Sequence, residues 1–262
     1  MQKIPNPKLN IPKEIRDSIS LDLDKKKIID AVENYVESMK GCIFTHINMD
    51  YEISNPIQIH AWIQRLLSVN VLRSFYIRNS FVDAFNSKNP VGIFLALKAW
   101  FEVAGVLASI LDLLEEKSSD DILREKLKPY ALGNRGKGSL RVGEIDAKNV
   151  MTMLTKADKY IKNISKGLKK IEKEGNFFID FYDIASNPTH PSFEAYEMFG
   201  ELTDNGVWMA YSPNEIRLEI VSDFDKYGAL LMAPIFIKSI CQKILIIELK
   251  HFRKMGSKKY ND

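Results

Sequence analysis

The run Phe181-Tyr182-Asp183-Ile184-Ala185-Ser186-Asn187-Pro188-Thr189-His190-Pro191-Ser192 sets an imidazole in a proline-bounded frame. An X-Pro bond on each side of Thr189-His190 holds the chain extended where a helix ends. His190 is thereby fixed in direction at low entropic cost, which suits recognition or proton transfer near neutral pH. The alternative is a turn whose ring satisfies the carbonyls at a helix end. Both readings need a helix that delivers the ring and neighbours that orient it.

Other chemistry-bearing residue types fall short of a motif. Gly133-Asn134-Arg135-Gly136-Lys137-Gly138-Ser139 has the glycines of a phosphate loop, but Gly138 is followed by Ser139-Leu140 instead of Lys-Ser/Thr, and the segment before it is helical in pattern. Read as a dinucleotide fingerprint it has Arg141 at the third glycine's place, leaving a basic loop. Cys42 and His46 lie four apart, but no second spaced pair among His60, His190, His251 and Cys241 completes a zinc site. His60, beside Trp62 in an apolar stretch, reads as a packed histidine. Glu248-Leu249-Lys250, with Asp223 or Asp225 upstream, matches the Glu-x-Lys pattern of Mg²⁺-dependent nucleases; that pattern belongs on a strand, and the flanks here are helical. Neither a metal nor a cofactor is expected.

Charge is the strongest departure from an ordinary composition. The total is only +3, yet residues 133–173 hold 11 Lys/Arg against 4 Asp/Glu, and residues 250–262 hold five basic residues against one acidic. Two basic segments therefore sit on an otherwise acidic chain. At about 100° per residue, Lys156, Lys159, Lys162, Lys166, Lys169, Lys170 and Lys173 project from one side of a helix. Ala157, Tyr160, Ile161, Ile164, Leu168 and Ile171 project from the other. With Arg135, Lys137 and Arg141 in the preceding loop, this stripe has the chemistry to neutralise a phosphate backbone without reading sequence. The bland alternative is a solvated lysine face, since no aromatic stacking residues are interleaved.

The elements that must carry these groups are helices. Asp24 to Lys40 has apolar residues at three-four spacing, with Asp24 as its cap. Asn55-Pro56 and Asn89-Pro90 open two long helices, the first running to about Phe85 and the second to Glu116. In the second, Lys98, Glu102, Ser109, Asp112 and Glu116 share one stripe of an otherwise apolar surface, the pattern of a central bundle helix. A short helix spans Asp120 to Pro129, further helical pattern covers Asp146 to Lys173, and another helix covers Phe177 to Ser186. Around Asp204-Asn205-Gly206 the alternation fits a small hairpin within 196–211, and Pro213 opens a last helical region reaching about Lys254. The expected class is all-α: a single helical domain over 14–254, with an extended arm over 1–13 set by Pro5, Pro7 and Pro12, and a basic tail over 255–262.

With 262 residues, 45% hydrophobic and 27% charged, the chain is neither disordered nor low-complexity. Two cysteines cannot form a disulfide framework and suit a reducing compartment. The N-terminus lacks the apolar run of a signal peptide. Leu230 to Leu249 is interrupted by Pro234, Lys238, Gln242 and Lys243, so it reads as a buried helix and not as a membrane span. A cytoplasmic location and no membrane partner are expected.

The succession Leu97-Lys98-Ala99-Trp100-Phe101-Glu102, Leu132-Gly133-Asn134-Arg135, Lys148-Asn149-Val150-Met151-Thr152-Met153 and the Tyr182 to Pro191 segment resembles an uncharacterised bacterial family of helical proteins related in form to the HEPN superfamily. The resemblance spans roughly residues 60–195. It implies a helical bundle acting in toxin, stress or anti-phage settings, with Lys98, Glu102, Asn149, Asn187 and His190 converging and Arg73 as a further partner. Glu102 would pair with Lys98 or orient His190. No Arg precedes any His at the spacing of the HEPN ribonuclease motif. The leading expectation is binding of RNA or another polyanion. The alternatives are metal-independent ribonuclease activity with His190 as general acid/base, and a structural subunit that forms a homodimer through apolar helices.

Overall fold

The proline-led start signals place the two longest elements of the first half. In the computed structural model, which describes residues 5–44, 57–116, 118–132, 148–164, 176–190, 200–210 and 231–258, α4 spans Ile57–Asn86 and α5 spans Pro90–Glu115. Before them come α1 (Lys13–Leu21), α2 (Leu23–Glu33) and α3 (Tyr35–Met39), closed by a 3-10 turn at Lys40–Cys42. After them follow α6 (Asp120–Leu132), α7 (Val150–Ile164), α8 (Phe177–Ser186) with a 3-10 turn at Asn187–Thr189, and α9 (Ala233–Lys258). The fold is all-α. The described strands are β1 (Gly200–Leu202) and β2 (Trp208–Ala210), an antiparallel pair with Glu201 opposite Met209. Gly206 takes φ 73° in the turn between them, the left-handed conformation that glycine adopts without strain.

Helix α5 is the axis of the bundle and packs against α4, α7, α8 and α9. Asn89 starts it by accepting the Gly92 N–H at 3.0 Å, with Pro90 in the first turn where its missing donor costs nothing. Leu97, Trp100, Phe101, Val103, Ala104 and Leu107 are fully buried along it. Gly105 lets α7 approach, since a Cβ there would lie 3.2 Å from the backbone carbon and the Cβ of Met153. Among the described helices α5 alone is long and apolar enough to cross a membrane, and 61% of its most apolar window is buried inside the protein.

The described part of the N-terminal arm, residues 5–12, lies on α4. Leu9 and Ile11 are buried, the Asn10 N–H donates to Asn86 Oδ1 at 2.7 Å, and Asn79 and Asn86 donate to the carbonyls of Pro5 and Lys8. The helix expected from Asp24 to Lys40 differs from the one observed. Asp22 is its cap, accepting from the Asp24 and Lys25 N–H groups, and the helix breaks at Asn34. The cap falls on Asp22 because that residue is extended (φ −104°, ψ 108°), whereas Asp24 already lies inside the helix. Helix α9 runs on through Lys258, so the first residues of the expected basic tail are helical.

Buried polar groups close helix ends from a distance. Arg78 is 0% exposed; it donates to the Val32 carbonyl at 3.0 Å and the Glu33 carbonyl at 3.3 Å, capping the end of α2. Asp158 of α7 accepts the Phe178 N–H at 2.7 Å and the Ile179 N–H at 3.4 Å, so the start of α8 is capped by a neighbouring helix. Burial pushes the Asp158 carboxyl up, partly offset by these two backbone donors.

Candidate functional site

Three helices bring part of the expected cluster together. Arg73 of α4 donates to Glu102 Oε2 of α5 at 3.2 Å, and the Tyr182 hydroxyl of α8 donates to Glu102 Oε1 at 3.4 Å. Lys98, one turn before Glu102 on α5, places its ammonium 5.3 Å from the centre of the Tyr182 ring, a cation–π arrangement. Glu102 thus pairs with Arg73 and not with Lys98. Although i and i+4 residues are neighbours on one helix, the guanidinium from α4 and the phenol from α8 take both carboxylate oxygens. Tyr182 is the member that sequence reasoning missed; it lay in the quoted segment, but only the packing of α8 on α5 turns it toward Glu102.

His190 stands apart from this knot. The 3-10 turn of Asn187–Thr189 packs on α5, the His190 N–H donates to the Asn187 carbonyl at 3.2 Å, and the Thr189 hydroxyl donates to the Ser186 carbonyl at 2.7 Å. The chain leaves the turn extended at His190 (φ −109°, ψ 156°), as its proline frame implies, and the residue is exposed. Among the described residues no hydrogen bond or ion pair joins its ring to Glu102 or Lys98, so Glu102 does not orient it. Asn187 is likewise exposed at the head of the turn. Asn149 does not join the cluster: its side chain accepts the Met151 N–H at 2.8 Å and starts α7. It is a helix cap, the role that Ser, Thr, Asp and Asn most often fill at this position.

The basic side of α7 is the other candidate surface. Met153, Leu154, Ala157, Tyr160 and Ile161 are buried, and Lys159 and Lys162 are exposed, so the two-sided pattern of the sequence is realised over the described turns. The first lysines are not free. Lys156 and Lys159 both donate to Asp112 of α5, at 2.7 and 2.5 Å, and Lys162 donates to Asn176 Oδ1 at 3.2 Å. Burial works against the charge on Asp112, yet the two ammonium donors outweigh it and hold its carboxyl below the ordinary value of 3.8. The same hydrogen bond raises the Lys159 ammonium. Nearby, Lys243 of α9 pairs with Glu115 at 2.7 Å and lies 5.2 Å from the centre of the Tyr160 ring, while the Tyr160 and Ser239 hydroxyls share a hydrogen bond at 2.7 Å. A line of charge therefore fastens α7 and α9 to α5. Arg135, Lys137, Arg141, Lys166, Lys169 and Lys170 lie outside the described residues.

The remaining sequence candidates resolve as packing. Glu248 is on helix α9, buried, with its Oε1 3.8 Å from Nδ1 of the buried His60, so the Glu-x-Lys pattern does not sit on a strand. Asp223, Asp225 and His46 lie outside the described residues. Among the described residues no group of three or more His, Cys, Asp or Glu is placed to hold a metal ion. Comparison with known protein families, curated proteins and solved structures finds no match for this chain.

Proposed function

We propose that this protein binds RNA or a similar polyanion through the basic side of α7 and the lysines that continue it in sequence, in a setting of the HEPN-like kind. The observation that carries the reading is the orientation of α7. Its apolar side is buried on α5 while Lys159 and Lys162 face outward, and in the sequence Lys166, Lys169 and Lys170 follow at the same three-four spacing. A positively charged strip on a rigid helix attracts phosphates by releasing their counterions, which needs no aromatic platform and reads no sequence. Each lysine that neutralises a phosphate of a single strand contributes about −0.7 to the slope of log affinity against log salt. Four such contacts therefore give a slope of about −3. The test replaces Lys162, Lys166, Lys169 and Lys170 by Glu and follows retention of a labelled single-stranded RNA at low salt. Retention is expected to be lost; unchanged retention overturns the reading.

A further inference from the structure

The two cysteines, one near each end of the described chain, meet inside the bundle. Cys42 closes the 3-10 turn after α3, and Cys241 lies in α9. The turn packs on α9 with Cα atoms within 8 Å, both side chains belong to one buried core cluster, and each thiol perturbs the other's titration. Both are reduced and buried, at 5% and 0% exposure. A turn packed this closely on a helix can bring two cysteines within the Cα separation of about 4.4–6.8 Å that a disulfide spans.

We infer that Cys42 and Cys241 are a redox-responsive dithiol that closes to an intramolecular disulfide when a small peroxide enters the bundle. Cys42 is the attacking sulfur. The Cys241 contact and the nearby Lys238 ammonium favour its thiolate, whereas burial keeps Cys241 protonated. The Cys42 thiolate attacks one oxygen of hydrogen peroxide; the O–O bond breaks, and with one proton taken up a sulfenic acid and a water molecule result. The Cys241 sulfur then attacks the sulfenic sulfur, loses its proton and expels the second water. Two thiols and one peroxide thus give one disulfide and two waters, the sulfurs being oxidised and the peroxide oxygens reduced. The new bond would tie the α3 turn to α9, the helix that also anchors Tyr160 and Glu115.

The test treats the native, full-length protein with hydrogen peroxide, quenches with an alkylating agent in acid, and analyses intact and digested protein by mass spectrometry. The expected result is the loss of two hydrogens, disappearance of both alkylatable thiols, and a Cys42–Cys241 cross-linked peptide that dithiothreitol removes. The thermal midpoint of the oxidised form should rise, because the bridge restricts the unfolded chain. Two thiols still alkylatable after treatment overturn the proposal, as does oxidation that stops at sulfinic acid or links separate molecules. The wild-type measurement decides the matter even where Cys241→Ser fails to fold, and Cys42→Ser, at the more accessible position, should abolish the cross-link.

Discussion

Replacing Asp112 by Asn tests the electrostatic design of the basic face, because it should move stability and binding in opposite directions. Asp112 joins a nearly buried carboxylate to two partly exposed lysines, with side-chain exposures of 10% against 37% for Lys156 and 60% for Lys159. Ion pairs with one exposed partner are worth about 0–1 kcal/mol each, so loss of both costs up to about 2 kcal/mol. For a chain of this size that lowers the thermal midpoint by up to roughly 4–8 °C. The same change frees two cations beside the exposed Lys162, which should steepen the salt slope for single-stranded RNA by about 1.4 and tighten binding at low salt. Acid behaviour supplies a further check. The folded-state pKa of Asp112 lies below its ordinary 3.8, so the clamp contributes fully above that value and fades as pH falls through the depressed one. The Asn variant should lose that part of the acid limb. Thermal melts across pH and fluorescence anisotropy titrations across salt measure both effects. A variant as stable as the wild type with an unchanged salt slope would refute the reasoning.

Three further substitutions probe the frame. Arg78→Met keeps the bulk but leaves the carbonyls of Val32 and Glu33 without their donor; urea unfolding should show a loss of about 3 kcal/mol. Gly105→Val pushes a side chain into the backbone of α7 at Met153 and should cost about 2 kcal/mol by the same measurement. Asn149→Ala removes the α7 cap and should cost about 1 kcal/mol while RNA affinity stays the same, which separates a cap from a binding residue.

Local signals carried the helices well. Asn-Pro pairs and three-four spacing located α4, α5 and α8 to within a residue or so, because a proline at a helix start and an apolar stripe act on neighbouring residues only. The boundary between α2 and α3 and the identity of the Asp22 cap were not legible, since they turn on the backbone angles of single residues. Tertiary partners were further out of reach. Lys98 and Glu102 had the spacing of a pair, but the carboxylate went to Arg73 and Tyr182, groups on two other helices. Lys156 and Lys159 read as a solvated face, yet the polar stripe of α5 delivers Asp112 beneath them. Arg78 and Asp158 gave no sign of their work, because capping a helix from another element leaves no local spacing. The meeting of Cys42 with Cys241 is of the same kind: it depends on where α9 returns to the N-terminal helices.

The decisive measurement is a salt series of anisotropy titrations with a labelled single-stranded RNA, comparing the wild type with the variant carrying Glu at 162, 166, 169 and 170. The wild type should bind with a log–log slope near −3 and the variant should not bind at low salt. A wild type that fails to bind, or a charge-reversed variant that binds as well, would contradict the assignment of the basic face.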